Sequence, residues 1–533
     1  MSTPDSPLPS VYQRIDADPE AFRQQLQDHP YPWQRPVRRI AIVGAGPSGL
    51  CCAASFRAAN HRARQAGRED VPFPTIQVFE QNHDVGGTWH YSDNVDASVT
   101  FPSIDPLGGP LPSAAPAVED NRFVGNIYRN LHTNLPGDVM CFPGIPFDKD
   151  APMFQHHPAV LRYLQDLARH WQVRDCIEFN SRVEHLEWQP EGKVWRIRVA
   201  RTAPVTTADT TVSDIDSAIS HSPPTRSAVR YVTFDAVVMC NGHFNVPFVP
   251  DLPGLREVAD RRLCELRHSR QYKEPSLARD KRVLVVGGGP SGQDVIREIL
   301  PVASHVYHSL SDPTSASNVS HLATHQPPGT PHANLDRVGA LAGFDPAART
   351  ARFVDGTTIP LPDLVLFATG YLYSFPALAQ LHSNNPGSPA SCRYEPTATL
   401  PDAKDSEVLV TDGRNVHQLF FQLFYMPNPT LTFPSIMTRV APFPIAYYQA
   451  QLLACVYAGE AVLPDEPTMR AWYAEEVAGK EGKARHLFGN TEVAYKDALA
   501  DWVDDLQVLP RVPSSWAALR KQAFALRLQQ LGY

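Results

Sequence analysis

Two short apolar runs stand out along the chain, because each is followed at once by a glycine-rich turn and then by helical spacing. The first run covers residues 37–43 and precedes Gly44, and the second covers residues 282–286 and precedes Gly287. Each run is apolar apart from the arginines at or near its start, and such a run bounded by glycine is typical of a buried strand in a parallel sheet. We therefore predict an α/β fold with two Rossmann-like, dinucleotide-binding parallel sheets.

The same patterns predict the remaining elements. Further strands are predicted at residues 75–79, 183–199, 230–239, 305–309 and 363–368, and helical spacing is found at 155–172 and over most of the chain after an aromatic, proline-rich start at 419–448. We interpret the polar stretch 57–72 as an insertion, and 201–229, rich in Thr, Ser and Ala, as a flexible insertion across a hairpin. The last 18 residues predict a docked surface helix, with adhesion to a membrane surface as the alternative.

Composition and charge exclude several classes of protein. The 533 residues are 43% hydrophobic and 20% charged, which is typical of a globular protein with a large core. The net charge is −8 and no long basic run occurs, so we expect no nucleic-acid partner. No run of about 18 apolar residues predicts a transmembrane segment, and the polar start argues against a signal peptide. Eight cysteines without a CxxC pair indicate a reducing compartment, and we expect a cytoplasmic protein.

The first glycine turn, GAGPSG, has the spacing with which a strand-to-helix turn holds a pyrophosphate. The first glycine permits the tight turn, the second lets the backbone approach the ligand, and the third allows the helix to pack on the strand. The helix N-terminus adds backbone N–H groups and a favourable dipole. The residues expected to bind the cofactor here are Gly44, Gly46, Pro47, Ser48 and Gly49.

Two features downstream belong with this turn. Glu80 ends the next predicted strand, where its carboxylate would hold the ribose hydroxyls. It follows Gly44 by 36 residues, and the insertion at 57–72 accounts for the excess over the usual spacing of about 20. The stretch GGTW at 86–89 pairs two glycines, so we expect Gly87, Thr88 and Trp89 to approach the same cofactor. Taken alone, this stretch is equally typical of an ordinary turn.

The second turn, GGGPSG, repeats the first one 243 residues later and predicts a second dinucleotide or a pseudo-repeat. No acid ends its next strand, HVYHS at 305–309, and a carboxylate there would repel a 2′-phosphate. The sequence therefore favours NADPH over NADH, with Arg282 and Arg297 as candidate partners of the phosphate. The residues expected to bind the cofactor here are Gly287, Gly289, Pro290, Ser291 and Gly292.

Three smaller features carry little chemistry by themselves. Asn134, before Leu-Pro, is more often a turn residue than a hydrogen-bond donor to a ligand. The cluster His268-Ser269-x-x-Tyr272 is typical of a structural linker. Cys51 and Cys52 are adjacent on a predicted helix, where they cannot form an unstrained disulfide, so we interpret them as packing residues.

Taken together, these stretches resemble the flavin-containing monooxygenases, over residues from about 38 to about 465. The resemblance is carried by the two glycine turns, by Glu80 with GGTW, by ATGY at 368–371, by NLHTNLPGDVMCFPGIPF at 130–147 and by FPSIMTRVAPFPIAYYQAQ at 433–451. It departs from the family signature FxGxxxHSxxY, because Arg262 replaces the Phe and Cys264 the Gly, while His268, Ser269 and Tyr272 match.

The resemblance implies an FAD-binding domain that is discontinuous in sequence, with an NADPH-binding domain inserted into it. We predict an N-terminal arm at 1–36 with one short helix, the first part of the FAD domain at 37–260, the NADPH domain at 261–360, and the second part with the C-terminal helices at 361–533. Thr369 and Gly370 of ATGY would also bind cofactor, and Asn134 would lie beside the flavin as the catalytic residue.

The resemblance also implies an activity. The enzyme would use FAD, NADPH and O₂ to form a C4a-hydroperoxyflavin and oxygenate the sulfur or amine nitrogen of a small molecule. Tyr272 favours this reaction, since relatives that perform Baeyer–Villiger oxidation tend to have Trp there. Baeyer–Villiger oxidation of a ketone and a non-catalytic dinucleotide-binding role remain alternatives, and we leave open whether the protein is a homodimer.

Overall fold

The computed structural model describes residues 11–33, 35–108, 124–202, 229–312, 333–383, 407–478 and 485–531. Its α-helices there are α1 Val11–Ala17, α2 Pro19–Asp28, α3 Pro47–Gln65, α4 Gly137–Met140, α5 His157–His170, α6 Leu255–Asp260, α7 Pro290–Ile299, α8 Pro442–Tyr457, α9 Glu466–Val477, α10 Glu492–Trp502 and α11 Ser514–Leu531. Its strands there are β1 Arg39–Val43, β2 Thr75–Phe79, β3 Ile177–Glu178, β4 Ser181–Gln189, β5 Val194–Arg201, β6 Val229–Phe234, β7 Ala236–Met239, β8 Val246–Pro247, β9 Glu265–His268, β10 Arg282–Val286, β11 His305–Ser309, β12 Leu335–Val338, β13 Leu341–Asp345, β14 Thr350–Phe353, β15 Thr358–Pro360, β16 Leu364–Phe367, β17 Tyr371–Leu372, β18 Leu419–Phe420, β19 Phe424–Tyr425 and β20 Leu431–Thr432.

The first sheet has the strand order β18-β19-β20-β7-β1-β2-β3, and its five strands from β20 to β3 are parallel. The run predicted at 37–43 forms its centre, since Ile40, Ala41 and Ile42 are fully buried and share one hydrophobic core with residues of α3 and α8. Strands from both ends of the chain meet in this sheet, so it is discontinuous in sequence.

The second sheet has the order β12-β11-β10-β16-β9 and is parallel throughout. The predicted fold class, two parallel α/β sheets with the second inserted into the first, is confirmed. The boundary predicted at residue 361 is wrong in detail, because β16 lies between β10 and β9 of the second sheet. The domain limits otherwise stay a prediction.

Two interpretations of polar stretches need correction. Helix α3 continues to Gln65 and buries Ala59, Asn60 and Ala63, so residues 57–65 are the second half of that helix and not an insertion. The polar side chains there form its outer face. The hairpin predicted across 201–229 is present, because Ala200 pairs with Val229 in the antiparallel pair β5–β6. The flexible insertion itself, at 203–228, lies outside the described residues.

Both ends of the chain pack onto the same core. The N-terminal arm contains two helices where one was predicted, and Tyr12 on α1 is buried against the rings of Phe421 and Tyr495. The C-terminal helix α11 is docked, as predicted, because the Trp516 indole N–H donates to the carbonyl of Val139 (3.3 Å). Tyr12 is separated from its partners by over 400 residues, so its burial was not visible in local spacing.

Candidate functional site

The first glycine turn joins β1 to α3, and backbone contacts require two of its glycines. Gly44 has φ +102°, and a Cβ there would lie 2.5 Å from the carbonyl oxygen of Cys240. A Cβ on Gly49 would lie 1.9 Å from the carbonyl oxygen of Gly44. A Cβ on Gly46 would meet only the Cα of Gly87, at 3.6 Å. Gly44 and Gly49 therefore shape the turn, while Gly46 faces the space into which a ligand can approach the backbone.

The GGTW stretch lies directly on this turn. The Gly86 N–H donates to the carbonyl of Ala45 (3.1 Å), and a Cβ on Gly87 would lie 3.0 Å from the Cα of Gly46. Thr88 donates from its hydroxyl to the side-chain oxygen of Asn126 (2.6 Å), and the Trp89 ring lies 6.4 Å from that of Phe443 at the start of α8. The structure thus brings together two stretches that are 37 or more residues apart, at the open N-terminus of α3.

Glu80 lies at the C-terminal end of β2, beside the turn. Its carboxylate accepts hydrogen bonds from the backbone N–H groups of Ala45 (2.6 Å) and Asn82 (2.8 Å), one on each oxygen. Burial raises the pKa of Glu80 above its usual value, and the two N–H groups oppose that rise. Each carboxylate oxygen has a second lone pair, so Glu80 can keep its hydrogen bonds to Ala45 and Asn82 and still accept a hydrogen bond from a ribose hydroxyl.

The second glycine turn joins β10 to α7 with the same geometry. Gly287 has φ +117°, and a Cβ there would lie 2.4 Å from the carbonyl oxygen of Ala368. A Cβ on Gly292 would lie 2.3 Å from the carbonyl oxygen of Gly287, whereas a Cβ on Gly289 would meet nothing within 4 Å. Pro290 and Ser291 open α7, whose first N–H groups have no partner within the helix. This turn also leaves room for a phosphate.

The two turns differ in the residue that follows the neighbouring strand. The Gly44 N–H donates to Phe79 at the end of β2 (2.8 Å), and the Gly287 N–H donates to Ser309 at the end of β11 (3.0 Å). The residue after Phe79 is Glu80, and the residue after Ser309 is the buried Leu310. The second turn therefore lacks the strand-end carboxylate, as the sequence predicted.

The arginines proposed to hold a 2′-phosphate are not placed for it. Arg282 begins β10, at the end of the strand opposite the glycine turn, and pairs with Asp363. Arg297 lies on the last turn of α7, 3.6 Å from Glu298. Sequence reasoning missed Arg337 on β12, which is exposed and pairs in register with His308 near the C-terminal edge of the sheet.

The ATGY stretch lines the second turn. The carbonyl of Ala368 is the atom that fixes Gly287, and the Thr369 hydroxyl donates to the carbonyl of Phe248. Gly370 has φ +86° and open space where a Cβ would lie. Its carbonyl accepts from His268 Nε2 (3.0 Å), so the ring is held as the tautomer with the proton on Nε2. Burial lowers the pKa of His268 to about 3, and the ring is neutral.

The altered family signature lies at the edge of this arrangement. Tyr272 donates to Glu298 on α7 (2.6 Å), so two of the three matching residues, His268 and Tyr272, contact elements of the second turn. The two departures lie upstream, in the turn between α6 and β9. Arg262 has φ +51° and is exposed, and Cys264 is half-buried. The departures therefore change a surface turn and leave the contacts of His268 and Tyr272 in place.

Asn134 lies on a segment that reaches from one turn to the other. The Tyr128 hydroxyl donates to Asp294 on α7 (2.6 Å), and at the other end the Phe142 ring packs 5.1 Å from Phe443, the neighbour of Trp89. Asn134 itself is exposed in the loop before α4. The structure places this segment between the two turns, while the role of Asn134 stays a prediction.

Sequence reasoning missed three polar residues beside the first turn. Among the described residues, the side-chain atoms Asn241 Oδ1, His243 Nε2 and Ser374 Oγ are buried without a hydrogen-bond partner. Asn241 follows β7, and its amide N–H donates to the carbonyl of Ser374 (3.2 Å). Buried polar atoms without partners indicate a ligand that supplies them. The signal available in the sequence was position, since Asn241 ends the strand adjacent to β1, where such sheets bind ligands.

The donor set fits two dinucleotides. Each turn combines an open helix N-terminus with a glycine, Gly46 or Gly289, whose missing Cβ leaves space for a pyrophosphate. In the described part of the chain, no group of three or more His, Cys, Asp or Glu side chains could hold a metal ion. No helix described is long and apolar enough to cross a membrane.

Comparisons with known proteins find similar flavin monooxygenases. The family described as FMO-like, flavin-binding monooxygenase-like, matches residues 103–321. The chain is 27% identical over 505 residues to flavin-containing monooxygenase ustF2 of Aspergillus flavus, covering 87% of this chain and 92% of that protein. It is 27% identical over 423 residues to the thiol-specific monooxygenase of Saccharomyces cerevisiae, covering 79% of this chain and 77% of that protein.

A solved structure has the same fold. The S-allyl-L-cysteine S-oxygenase from Allium sativum superposes with a TM-score of 0.66 at 24% identity, covering 93% of this chain and 94% of that one. The family match includes the second glycine turn and the segment from Tyr128 to Phe142, whereas the first glycine turn precedes it. The chain therefore contains a flavin-binding monooxygenase-like region and is similar to flavin-containing monooxygenases over most of its length, which supports its assignment as an FAD- and NADPH-dependent monooxygenase.

Proposed function

We propose that this enzyme oxygenates the sulfur or the amine nitrogen of a small molecule. The observation that carries the proposal is the pair of equivalent turns, joined by the segment from Tyr128 to Phe142. FAD, when bound, takes electrons from NADPH and activates O₂, so that one oxygen atom enters the substrate and the other leaves as water. A small-molecule substrate and O₂ are therefore the partners.

The first turn would hold FAD. Gly46 admits the pyrophosphate to the backbone, and Pro47 and Ser48 begin the helix whose N–H groups would donate to it. Glu80 would accept a ribose hydroxyl on its remaining lone pairs. The turn containing Gly87 would cover the phosphate side, because it already contacts Gly46.

The second turn would hold NADPH. Gly289 would admit the pyrophosphate, and Thr369 and Gly370 would border the nicotinamide half, because they lie beside Gly287. Leu310 presents no charge to repel a 2′-phosphate, and we propose Arg337 as the cation that attracts it.

Asn134 would act as a hydrogen-bond donor between the cofactors. A carboxamide donates a hydrogen bond without carrying charge or competing as a nucleophile, so it can hold a reactive oxygen while water is kept away. Its segment is anchored at both ends, by Tyr128 on α7 and by Phe142 beside Phe443, which fixes where the loop can lie.

Sulfur is the substrate atom that the comparisons favour within this proposal. Two of the similar proteins have names that specify thiol oxidation and S-oxygenation. The Tyr128 and Tyr272 rings pack against each other 5.6 Å apart, with both hydroxyls bound to α7, so the aromatic position at 272 is filled by a hydrogen-bonded Tyr. We also propose a cytoplasmic location, since the seven cysteines described are unpaired.

The test is the yield of oxygenated product per NADPH consumed, in wild type and Asn134→Ala. We expect the variant to oxidise NADPH with most of the electrons released as hydrogen peroxide. Asp138→Ala, on the same segment and also exposed, is the control and should keep the wild-type yield. An unchanged yield in Asn134→Ala would exclude the proposed role.

A substrate panel separates the alternatives. We expect a thioether or an amine to be oxygenated and a cyclic ketone to be left intact. Conversion of the ketone alone would assign Baeyer–Villiger chemistry. A purified protein that stays colourless after addition of FAD would support a non-catalytic dinucleotide-binding protein.

A further inference from the structure

The last helix of the chain reaches the helix of the second turn through a buried ion pair. Arg527 Nη2 on α11 donates to Asp294 Oδ1 on α7 (2.5 Å). Both side chains are buried, with 8% and 3% of their surface exposed. The two residues are 233 positions apart, and the matched family region at 103–321 does not include Arg527.

The same carboxylate also holds the segment that carries Asn134. The Tyr128 hydroxyl donates to Asp294 Oδ2 (2.6 Å), so the two oxygens of Asp294 serve two different parts of the chain. A neighbouring contact repeats this arrangement, since Tyr272 donates to Glu298 one turn further along α7. Helix α7 is therefore fixed by two tyrosines from the side of the 128–142 segment and by one arginine from the C-terminus.

Burying two charges costs desolvation free energy, which is offset only when the pair has good geometry and further hydrogen bonds. Removal of one partner leaves the other charge buried without compensation. Asp294 lies three residues after Ser291, so any rotation of α7 that relieved an unpaired carboxylate would move the first N–H groups of the helix. It would also release Tyr128 and, with it, the loop before α4. The stability of the C-terminal helix is thereby linked to the geometry of the dinucleotide turn.

We propose that Arg527 is a positioning residue of the monooxygenase, which acts through Asp294 to hold the second glycine turn and the Asn134 segment in register. The arginine touches neither cofactor nor substrate in this role. The inference rests on the proposed function for the placement of NADPH and for the role of Asn134. The expected effect of Arg527 on the conformation of α7 does not depend on that function.

The test compares Arg527→Ala with Arg520→Ala on the same helix. Arg520 is the matched control, because it pairs with Glu492 on α10 and has no described contact with α7. We expect Arg527→Ala to raise the dissociation constant of NADP⁺ by about 3- to 30-fold, the range of network mutations of this kind. Arg520→Ala should leave it within about twofold of wild type, because its buried partner Glu492 lies on α10, a separate site that does not contact the second turn through any described hydrogen bond.

Two further measurements separate positioning from general destabilisation. Backbone amides of α7 should exchange faster in Arg527→Ala and at the wild-type rate in Arg520→Ala, by hydrogen–deuterium exchange of FAD-loaded protein. Arg527→Lys, which keeps the charge, should recover part of the NADP⁺ affinity. Equal NADP⁺ affinity and equal α7 exchange in the two alanine variants would overturn the proposal.

The two variants distinguish the role of Arg527 from the role of Asn134. If Arg527→Ala weakens NADP⁺ binding while Asn134→Ala leaves the product yield unchanged, the positioning role stands and the proposed role of Asn134 fails. If Asn134→Ala lowers the yield while Arg527→Ala changes neither NADP⁺ affinity nor α7 exchange, the proposed function stands and the positioning role fails.

Discussion

The glycines of the second turn can be separated by experiment into those that shape the turn and the one that faces the ligand. At Gly292, an alanine Cβ would lie 2.3 Å from the carbonyl oxygen of Gly287, about 1 Å inside an ordinary contact. Backbone would have to move, which costs about 1–3 kcal/mol as in an overpacked core. At Gly289 the Cβ meets nothing within 4 Å. Gly289 is the N-cap residue of α7, and alanine is a poorer N-cap than glycine, so the expected loss of folding stability is about 0.5–1 kcal/mol.

Gly289→Ala, the more stable of the two variants, should lose affinity for NADP⁺. Gly289→Ala fills the space through which a pyrophosphate approaches, so we expect the dissociation constant of NADP⁺ to rise at least about tenfold, or about 1.4 kcal/mol. The assays are titration calorimetry with NADP⁺ and thermal unfolding followed by circular dichroism. Gly46→Ala in the first turn is the crossed control and should weaken FAD while sparing NADP⁺. The reasoning is refuted if Gly289→Ala binds NADP⁺ like wild type, or if Gly292→Ala unfolds at the same temperature as Gly289→Ala.

Further predictions concern single contacts. Glu80→Gln replaces one acceptor oxygen with an NH₂ group opposite a backbone N–H, and FAD affinity measured by flavin fluorescence should fall about tenfold or more, the cost of a charged hydrogen bond. Tyr12→Ala removes a buried ring from the core between both chain ends and should cost about 3–5 kcal/mol in denaturant unfolding. His268 and His308, with pKa values lowered by burial to about 3 and about 4, stay neutral when folded and take up protons on unfolding. Their contribution to stability should therefore be complete above pH about 6.5 and fall as the pH drops towards 4, by up to about 2.7 kcal/mol per pH unit for two protons. Burial lowers the pKa of His157, His243, His382 and His417 to about 4 as well, so these residues add to the slope, and His308→Gln should flatten it by the share of one proton. Arg337→Ala should raise the KM for NADPH and leave the KM for NADH unchanged, and equal effects on both would exclude contact with the 2′-phosphate.

The sequence was most informative where a local pattern reports a local constraint. The strands at 75–79, 282–286 and 305–309 begin and end as predicted, because each is a short run that contains β-branched or aromatic residues, which favour strands. The glycine turns were equally clear, since few sequences place three glycines at that spacing after a strand. The helix beyond the first turn was cut short in the prediction, because its second half presents mostly polar side chains to solvent.

Contacts between distant parts of the chain could not be predicted. Tyr12 and Arg527 have ordinary neighbours in sequence, and their burial depends on partners more than 200 residues away. The polar atoms at Asn241 and Ser374 were missed for the same reason. The misplaced arginine candidates show a different limit, because direction along a strand decides which end of the sheet a side chain reaches. Arg282 begins its strand, and so it lies away from the turn that ends it.

The two turns also show which residues can determine the difference between their ligands. Both have a left-handed first glycine held against the carbonyl of the next strand, a third glycine packed on the first, and an open second one. These contacts are the same in kind and differ by only a few tenths of an ångström, so the glycines cannot discriminate between a flavin and a nicotinamide dinucleotide. The difference lies after the neighbouring strand, where a buried Glu80 meets the first turn and a buried Leu310 stands beside the second. A carboxylate suits a ribose with free hydroxyls, whereas an apolar residue leaves a 2′-phosphate unopposed. The spacing of the glycines therefore predicts that a dinucleotide binds, and the residue one strand away predicts whether its ribose carries a free 2′-hydroxyl or a 2′-phosphate.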